Sequence, residues 1–371
     1  MREVLFVAGE TSGDLHAAGV AAELRRRRPD LPLAGVGGAR MQQEGVTLLE
    51  HAERLAVMGF AEVLTHVPRH WSLLRRLTRR LRAGDVALVI VIDYPGFNMK
   101  LAAAARRCGI PVLYYITPQV WAWGAKRLAA LARTVTRAAV ILPFEEALLR
   151  AHGVDASFVG HPLLDRARSL PSREEARSRL GLDATAPVLA LFPGSRTQEI
   201  HRHLEPFVAT ARVLQQRVPS LQVVVSVAPG VAIDPGACTY PLVRSASFDV
   251  LRAADAAFCK SGTSTLEAAV AGCPLAVGYR TSRWTYAIAR RVVTIPFIGL
   301  VNVVAEREVA PEFVQDALVP ERVASVLQPL LSDSAARRAM LEALADVRAR
   351  LGAPGAAGRV ATMALELLDG R

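Results

Sequence analysis

At 371 residues the chain exceeds one ordinary core and suits two domains with a cleft between them. Its formal net charge of +11 rests almost wholly on arginine, since Lys100, Lys126 and Lys260 are the only lysines; that balance favours anionic partners, whether nucleic acid, a membrane face or phosphorylated substrates. Cys108, Cys238, Cys259 and Cys273 form no C-x-x-C pair, which argues against a zinc site and a disulfide framework, and no apolar run approaches the roughly 18 residues of a membrane span.

Met1 and Arg2 lead directly into a short strand, without the apolar region and cleavage site of a signal peptide, so a reducing cytosol is expected. Apolar runs at 3–8, 86–92, 112–116 and 139–142 alternate with helical periodicity, the pattern of parallel βαβ units. The first of them, within VLFVAGETSGD (4–14), gives way to small residues and then an amphipathic stretch, so backbone N–H groups converge on an anion. HVPRHWSLLRRLTRRLR (66–82) places Val67, Trp71, Leu74, Leu77 and Leu81 on one stripe and Arg75, Arg76, Arg79 and Arg80 on the other side. Such a helix either lies on an anionic bilayer or packs its leucines on a sheet with the arginines solvated. Both hold if the arginine face meets the membrane together with Val57, Met58 and Phe60.

In IDYPGFN (92–98), Asp93 ends an apolar strand, so its carboxylate emerges at the sheet edge. There it either takes a proton from a hydroxyl nucleophile as general base, caps the following helix or pairs with an arginine. The tryptophans flanking Ala122 in TPQVWAWGAKR (117–127) line a cleft wall or join the core.

From Pro162 to Pro187 the chain turns polar, and a domain boundary is placed there. A first lobe of 1–165 and a second of 166–349 follow, with the closing helix of 350–371 packing back on the first. The second lobe repeats the scheme, with strands near 188–192, 221–227, 256–259 and 274–278 and helices near 204–217 and 264–271. After its first strand, PGSR is either an ordinary turn or an anion site in which the planar fork of Arg196 meets phosphate oxygens. KSGTSTLE (260–267) offers backbone donors at Ser261, Gly262 and Thr263 at a helix start, with Glu267 one turn on and within reach of a ribose. The alternative is a plain helix cap by Ser264 or Thr263 with Glu267 exposed. His201 and His203 lie two apart, on different helix faces, so no metal is assigned.

Together these segments resemble the lipid-A-disaccharide synthase family, glycosyltransferases of the GT-B fold. The likeness runs through VAGETSGDLHAAG, GVGGARMQQEG, LAVMGFAEVL, IDYPGFN, the very specific TPQVWAW, LPFE, FVGHPL, LFPGSRTQEI, SGTSTLEAAVAGCP, VGYRTS and the loop at Asn302, in order over nearly the whole chain. One departure is Val301, where the family commonly has proline before the asparagine. The resemblance implies two Rossmann-like parallel-sheet lobes facing across a cleft. It also implies an inverting, metal-independent and cofactor-free enzyme that joins UDP-2,3-diacylglucosamine to 2,3-diacylglucosamine 1-phosphate, forms a β-1',6-linked disaccharide and releases UDP. Asp93 falls on the family's candidate base, with Arg196 also in the reaction. Ser195, Arg196, Ser261, Gly262, Thr263, Glu267 and Asn302 fall on its UDP side, and Glu10, Ser12, Gly13 and Asp14 on its first-lobe turn. The implied setting is cytoplasmic, peripheral on the anionic inner face of the inner membrane, where Met58, Phe60 and the four arginines face lipid; a homodimer is left open. A UDP-sugar epimerase of the same architecture is the enzymatic alternative. A binding module for nucleic acid or anionic lipid is the other, although it lacks interleaved stacking aromatics, so nucleic acid is not expected as a partner.

Overall fold

A computed structural model describes residues 2–52, 62–121, 125–292 and 295–370. The chain divides into two compact units, one formed by Met1–Pro162 with Ala353–Arg371, the other by Leu163–Gly352.

In the first unit, strands β1 (Glu3–Ala8), β2 (Leu33–Gly37), β3 (Thr47–His51), β4 (Val86–Ile92), β5 (Val112–Tyr115), β6 (Arg137–Val140) and β7 (Ala156–Phe158) form one sheet in the order β3-β2-β1-β4-β5-β6-β7. Every pairing is parallel. The central strands are continuous apolar runs because both faces are covered. Leu5, Val7, Val89 and Val91 pack beneath the helices Glu62–Ala83, Pro95–Arg107 and Ala125–Thr134. Val4, Phe6, Leu88 and Ile90 alternate to the other face, under Thr11–Arg27 and Ala356–Leu368. The last helix is fixed there by Val360, Ala361 and Ala364, all fully buried, and by polar ties from Arg27 to Thr362 (2.7 Å) and Arg137 to Glu366.

The second unit has strands β8 (Val188–Phe192), β9 (Gln222–Val227), β10 (Leu242–Arg244), β11 (Ala256–Lys260), β12 (Leu275–Tyr279) and β13 (Glu312–Val314), ordered β10-β9-β8-β11-β12-β13 and again parallel throughout. Leu189, Leu191, Val223 and Val225 pack against Phe207, Ala211 and Leu214 of the helix Thr197–Arg217.

The polar stretch before Pro187 is part of this second unit. Arg177, only 2% exposed, pairs with Asp255 at 2.9 Å and donates to the carbonyls of Ala253, Asp183 and Ala184. Asp255 also accepts from Arg173 and from the backbone N–H of Val188 at the start of β8. Within this polar stretch, Arg173 and Arg177 share the carboxylate of Asp255, and the remaining Arg177 donors are satisfied by backbone carbonyls.

Candidate active site

Each sheet order reverses direction once, at β1/β4 in the first unit and at β8/β11 in the second. Outside the carboxyl ends of strands at such a reversal, flanking loops part in opposite directions and leave room for a ligand. The candidate segments of the sequence lie there: ETSGD after β1 and DYPG after β4, PGSR after β8 and KSGT at the end of β11.

At the first reversal, Asp93 and Tyr94 both hold left-handed backbone conformations, with φ of 46° and 50°. Two consecutive non-glycine residues there carry strain, which the surroundings must over-determine. The Asp93 carbonyl accepts from Asn98 Nδ2 at 2.7 Å and from Tyr114 Oη at 2.8 Å, while its N–H donates to the Tyr115 carbonyl. Tyr94, not Asp93, is the cap residue of the helix Pro95–Arg107, and no side chain caps that helix. Burial, followed by the Asp93 charge, raises the Tyr114 hydroxyl well above its ordinary range. Tyr94 lies against Gly9, where an added Cβ would meet ring atoms at 2.4 Å, so the end of β1 accepts only glycine at this contact. Tyr94 also hydrogen-bonds His70.

The first-lobe turn splits into two roles. Glu10 and Ser12 are exposed at the start of the helix Thr11–Arg27, with Glu10 its cap residue. Gly13 is buried, and Asp14, 4% exposed, accepts from the backbone N–H groups of Gly38 (2.7 Å), Arg40 (3.2 Å) and Met41 (3.1 Å). Its carboxylate holds the Gly38–Met41 turn.

At the second reversal, Gly194 has φ 142° and an added Cβ would lie 2.5 Å from the Glu199 Cβ, so this turn requires glycine. Ser195 and Arg196 are exposed, and Arg196 caps the helix Thr197–Arg217. The Ser195 N–H donates to Glu199 Oε2 at 2.9 Å, and Glu199 Oε1 pairs with Lys260 Nζ at 2.9 Å. Gly262 caps the helix Thr263–Ala271 without any side-chain bond, so the proposed Ser264 or Thr263 cap is absent: Ser264 Oγ turns back to the Lys260 carbonyl. Among the described residues, no protein acceptor takes the N–H groups of Gly262, Thr263 or Ser264. Ser261 Oγ donates to the Ile298 carbonyl at 2.6 Å, which ties this turn to the next loop.

Glu267 is 9% exposed and pairs with Arg166 at 2.9 Å. Burial raises its carboxyl, and Arg166 opposes the shift. A position expected to reach a ribose is thus engaged by a cation of its own unit. Asn302 is fully buried: Nδ2 donates to the Ala310 carbonyl and Glu312 Oε1, and Oδ1 accepts from the N–H groups of Val309 and Ala310. With both amide ends engaged, Asn302 ties its own helix to the 309–312 segment. Sequence reasoning missed Glu199, Lys260 and Glu145. Burial pushes the Glu145 carboxyl up to about 7, even though it accepts from Leu142 N–H and Trp121 Nε1. The signals were present, as Lys260 is one of three lysines and Glu145 belongs to LPFE.

A family model described as lipid-A-disaccharide synthetase matches residues 4–352. The chain belongs to the lipid-A-disaccharide synthase family. It is 43% identical to the lipid-A-disaccharide synthase of Syntrophus aciditrophicus, over 98% of this chain and 97% of that protein. With the Myxococcus xanthus lipid-A-disaccharide synthase it shares 42% identity, over 98% and 97% respectively. Among solved structures, the glycotransferase of kitacinnamycin (TM-score 0.67, 16% identity, 98% of both chains) and the calicheamicin glycosyltransferase CalG4 (0.64, 19%, 100% and 99%) share the fold. So does an S. aureus MnaA–UDP structure (0.66, 11%, 100% and 97%). The fold is GT-B, and as a lipid-A-disaccharide synthase family member the chain is a glycosyltransferase of lipid A biosynthesis; neither the epimerase nor the binding module is favoured.

The Val301 N–H donates to Thr265 Oγ1 at 3.3 Å, a tie to the KSGT helix. In the arginine-rich helix, the buried stripe is Leu73, Leu77 and Leu81, while Trp71 is 50% exposed beneath Lys100. Arg80 forms a two-pronged pair with the buried Glu3, and Arg76 binds Glu50 and the Leu49 carbonyl. Arg75, Arg76 and Arg79 are exposed, and Arg80 is half-buried against Glu3. Val57, Met58, Phe60 and Trp123 lie outside the described residues, and nothing is described of the Val67 side chain.

Proposed function

We propose that the chain transfers the diacylglucosaminyl group of UDP-2,3-diacylglucosamine to the 6-hydroxyl of 2,3-diacylglucosamine 1-phosphate, with inversion. The anomeric carbon–oxygen bond to UDP breaks as the bond to the acceptor oxygen forms, and Asp93 takes the acceptor's proton. Ser195, Arg196 and the Ser261–Thr263 turn hold the departing UDP by backbone N–H groups, helix dipole and guanidinium. The observation carrying this reading is that the carboxylate and the anion-binding turns each occupy the reversal point of their own sheet. Strained backbone at Asp93 supports its assignment as a functional position.

The enzyme on this reading is cytoplasmic and peripheral on the anionic inner face of the inner membrane; no described helix is long and apolar enough to cross it. Following UDP release with both acylated sugars, and then with each alone, tests the reaction. Release requiring both supports transfer, and release from the donor alone at the same rate refutes it. Removing charge at Arg75 and Arg79 is expected to cost about 1 kcal/mol each of adsorption to anionic vesicles, and unchanged, salt-insensitive adsorption places docking elsewhere.

A further inference from the structure

We propose that Lys260 is an additional contact to the nucleotide's diphosphate and stabilises the charge that develops on departing UDP. The inference rests on the reading that UDP binds at the β8/β11 reversal. Lys260 closes β11, immediately before the turn whose N–H groups at Gly262, Thr263 and Ser264 have no acceptor among the described residues. Its ammonium lies 3.5 Å from the point an added Gly262 Cβ would occupy, at the mouth of that helix. No other lysine lies in the second unit.

Two contacts and partial burial hold the ammonium in this place. Glu199 Oε1 pairs with it at 2.9 Å, the Tyr279 ring lies 5.9 Å beneath it, and only 17% of its side chain is exposed. Glu199 is itself anchored: its other oxygen accepts from Ser195 N–H, and its carbonyl faces His203 Nδ1 at 2.7 Å. His203 Nε2 in turn accepts from the Arg280 N–H. Burial raises the Glu199 carboxyl, but Lys260, Ser195 N–H and Arg196 together bring it below its ordinary value, so the carboxylate persists as the partner of Lys260.

The arrangement links the two anion-binding turns through one ion pair. A carboxylate occupies the Ser195 donor and the ammonium together, so an arriving diphosphate competes for both with a group of the same charge. Once the phosphates displace it, a preorganised cation beside the helix dipole is aimed at the oxygens on which charge accumulates as the sugar departs, and such placement acts mainly on turnover.

The test compares wild-type protein with Lys260→Met by calorimetric titration with UDP and with uridine, and by transfer kinetics with both lipid substrates. Loss of a charge-assisted contact predicts UDP binding weaker by about 10- to 100-fold, uridine binding unchanged, and kcat lowered more than KM is raised. UDP affinity equal to wild type overturns the inference. So does an equal loss for uridine and UDP, which makes Lys260 a prop for the fold of the turn. Wild-type protein that binds neither compound breaks the proposed function itself, a separate failure.

Discussion

At β1/β4 the first unit presents a side chain from a constrained backbone: Asp93 and Tyr94 are held left-handed, and the Asp93 carbonyl is tied by Asn98 and Tyr114. At β8/β11 the second unit presents the backbone itself, with N–H groups at Gly262–Ser264 that meet no acceptor among the described residues and cations at Arg196 and Lys260. On the proposed function, one topology furnishes a proton acceptor in one unit and an anion cradle in the other. The difference lies in what the turn residues allow. Glycine at 194 and 262 makes room for the positive φ of these turns, whereas Asp93 and Tyr94 after β4 hold a left-handed backbone at a conformational cost.

The comparison breaks most decisively at Asp93. Asp93→Asn keeps a residue that tolerates the left-handed conformation, so UDP affinity is expected to persist while transfer falls by about 10²- to 10⁴-fold; near-normal turnover removes the base from this residue. Asn302→Ala tests whether the second unit's asparagine is a clamp. Leaving buried partners at Glu312 and Ala310 unpaired is expected to cost about 3 kcal/mol of stability with UDP affinity intact in the folded protein, and a UDP defect at unchanged urea midpoint restores it to the site.

The buried carboxyls extend the contrast, since Glu267 has Arg166 beside it and Glu145 has only hydrogen-bond donors. A carboxyl raised in the folded state stabilises the protein fully below its unfolded value of 4.5 and loses that contribution as pH rises through about 7. Over that window Glu145 is expected to give up about 3 kcal/mol, so Tm of wild type should fall more steeply than that of Glu145→Gln; parallel curves refute it. Arg196→Ala is expected to weaken UDP binding by about 10-fold, and unchanged constants for UDP and both substrates dismiss Arg196 from the site.

Much of the fold was legible because short, β-branched apolar runs such as VALVIVI have the length and composition of strands buried on both faces. Strand β2, LAGVG, escaped because alanine and glycine lack β-branched character, and its place follows from pairing beside β1. The helix expected near 204–217 starts at Thr197, and no side chain caps it to mark that start in the sequence. In the arginine-rich helix, Leu73 rather than Trp71 joins the buried stripe, a rotation that periodicity did not resolve.

Motif order determined the family, because each glycine-rich turn is weak by itself while their succession along the chain is specific. Only tertiary structure decided how individual polar groups are spent. Asp14 and Asn302 look like ligand contacts in one dimension, yet Asp14 is engaged by backbone 24 to 27 residues on and Asn302 by the 309–312 segment, whereas Lys260 looks incidental and stands at the mouth of the Gly262–Ser264 turn. The reason is that a hydrogen bond or ion pair depends on partners far along the chain, and burial makes an unpaired group too costly to leave open.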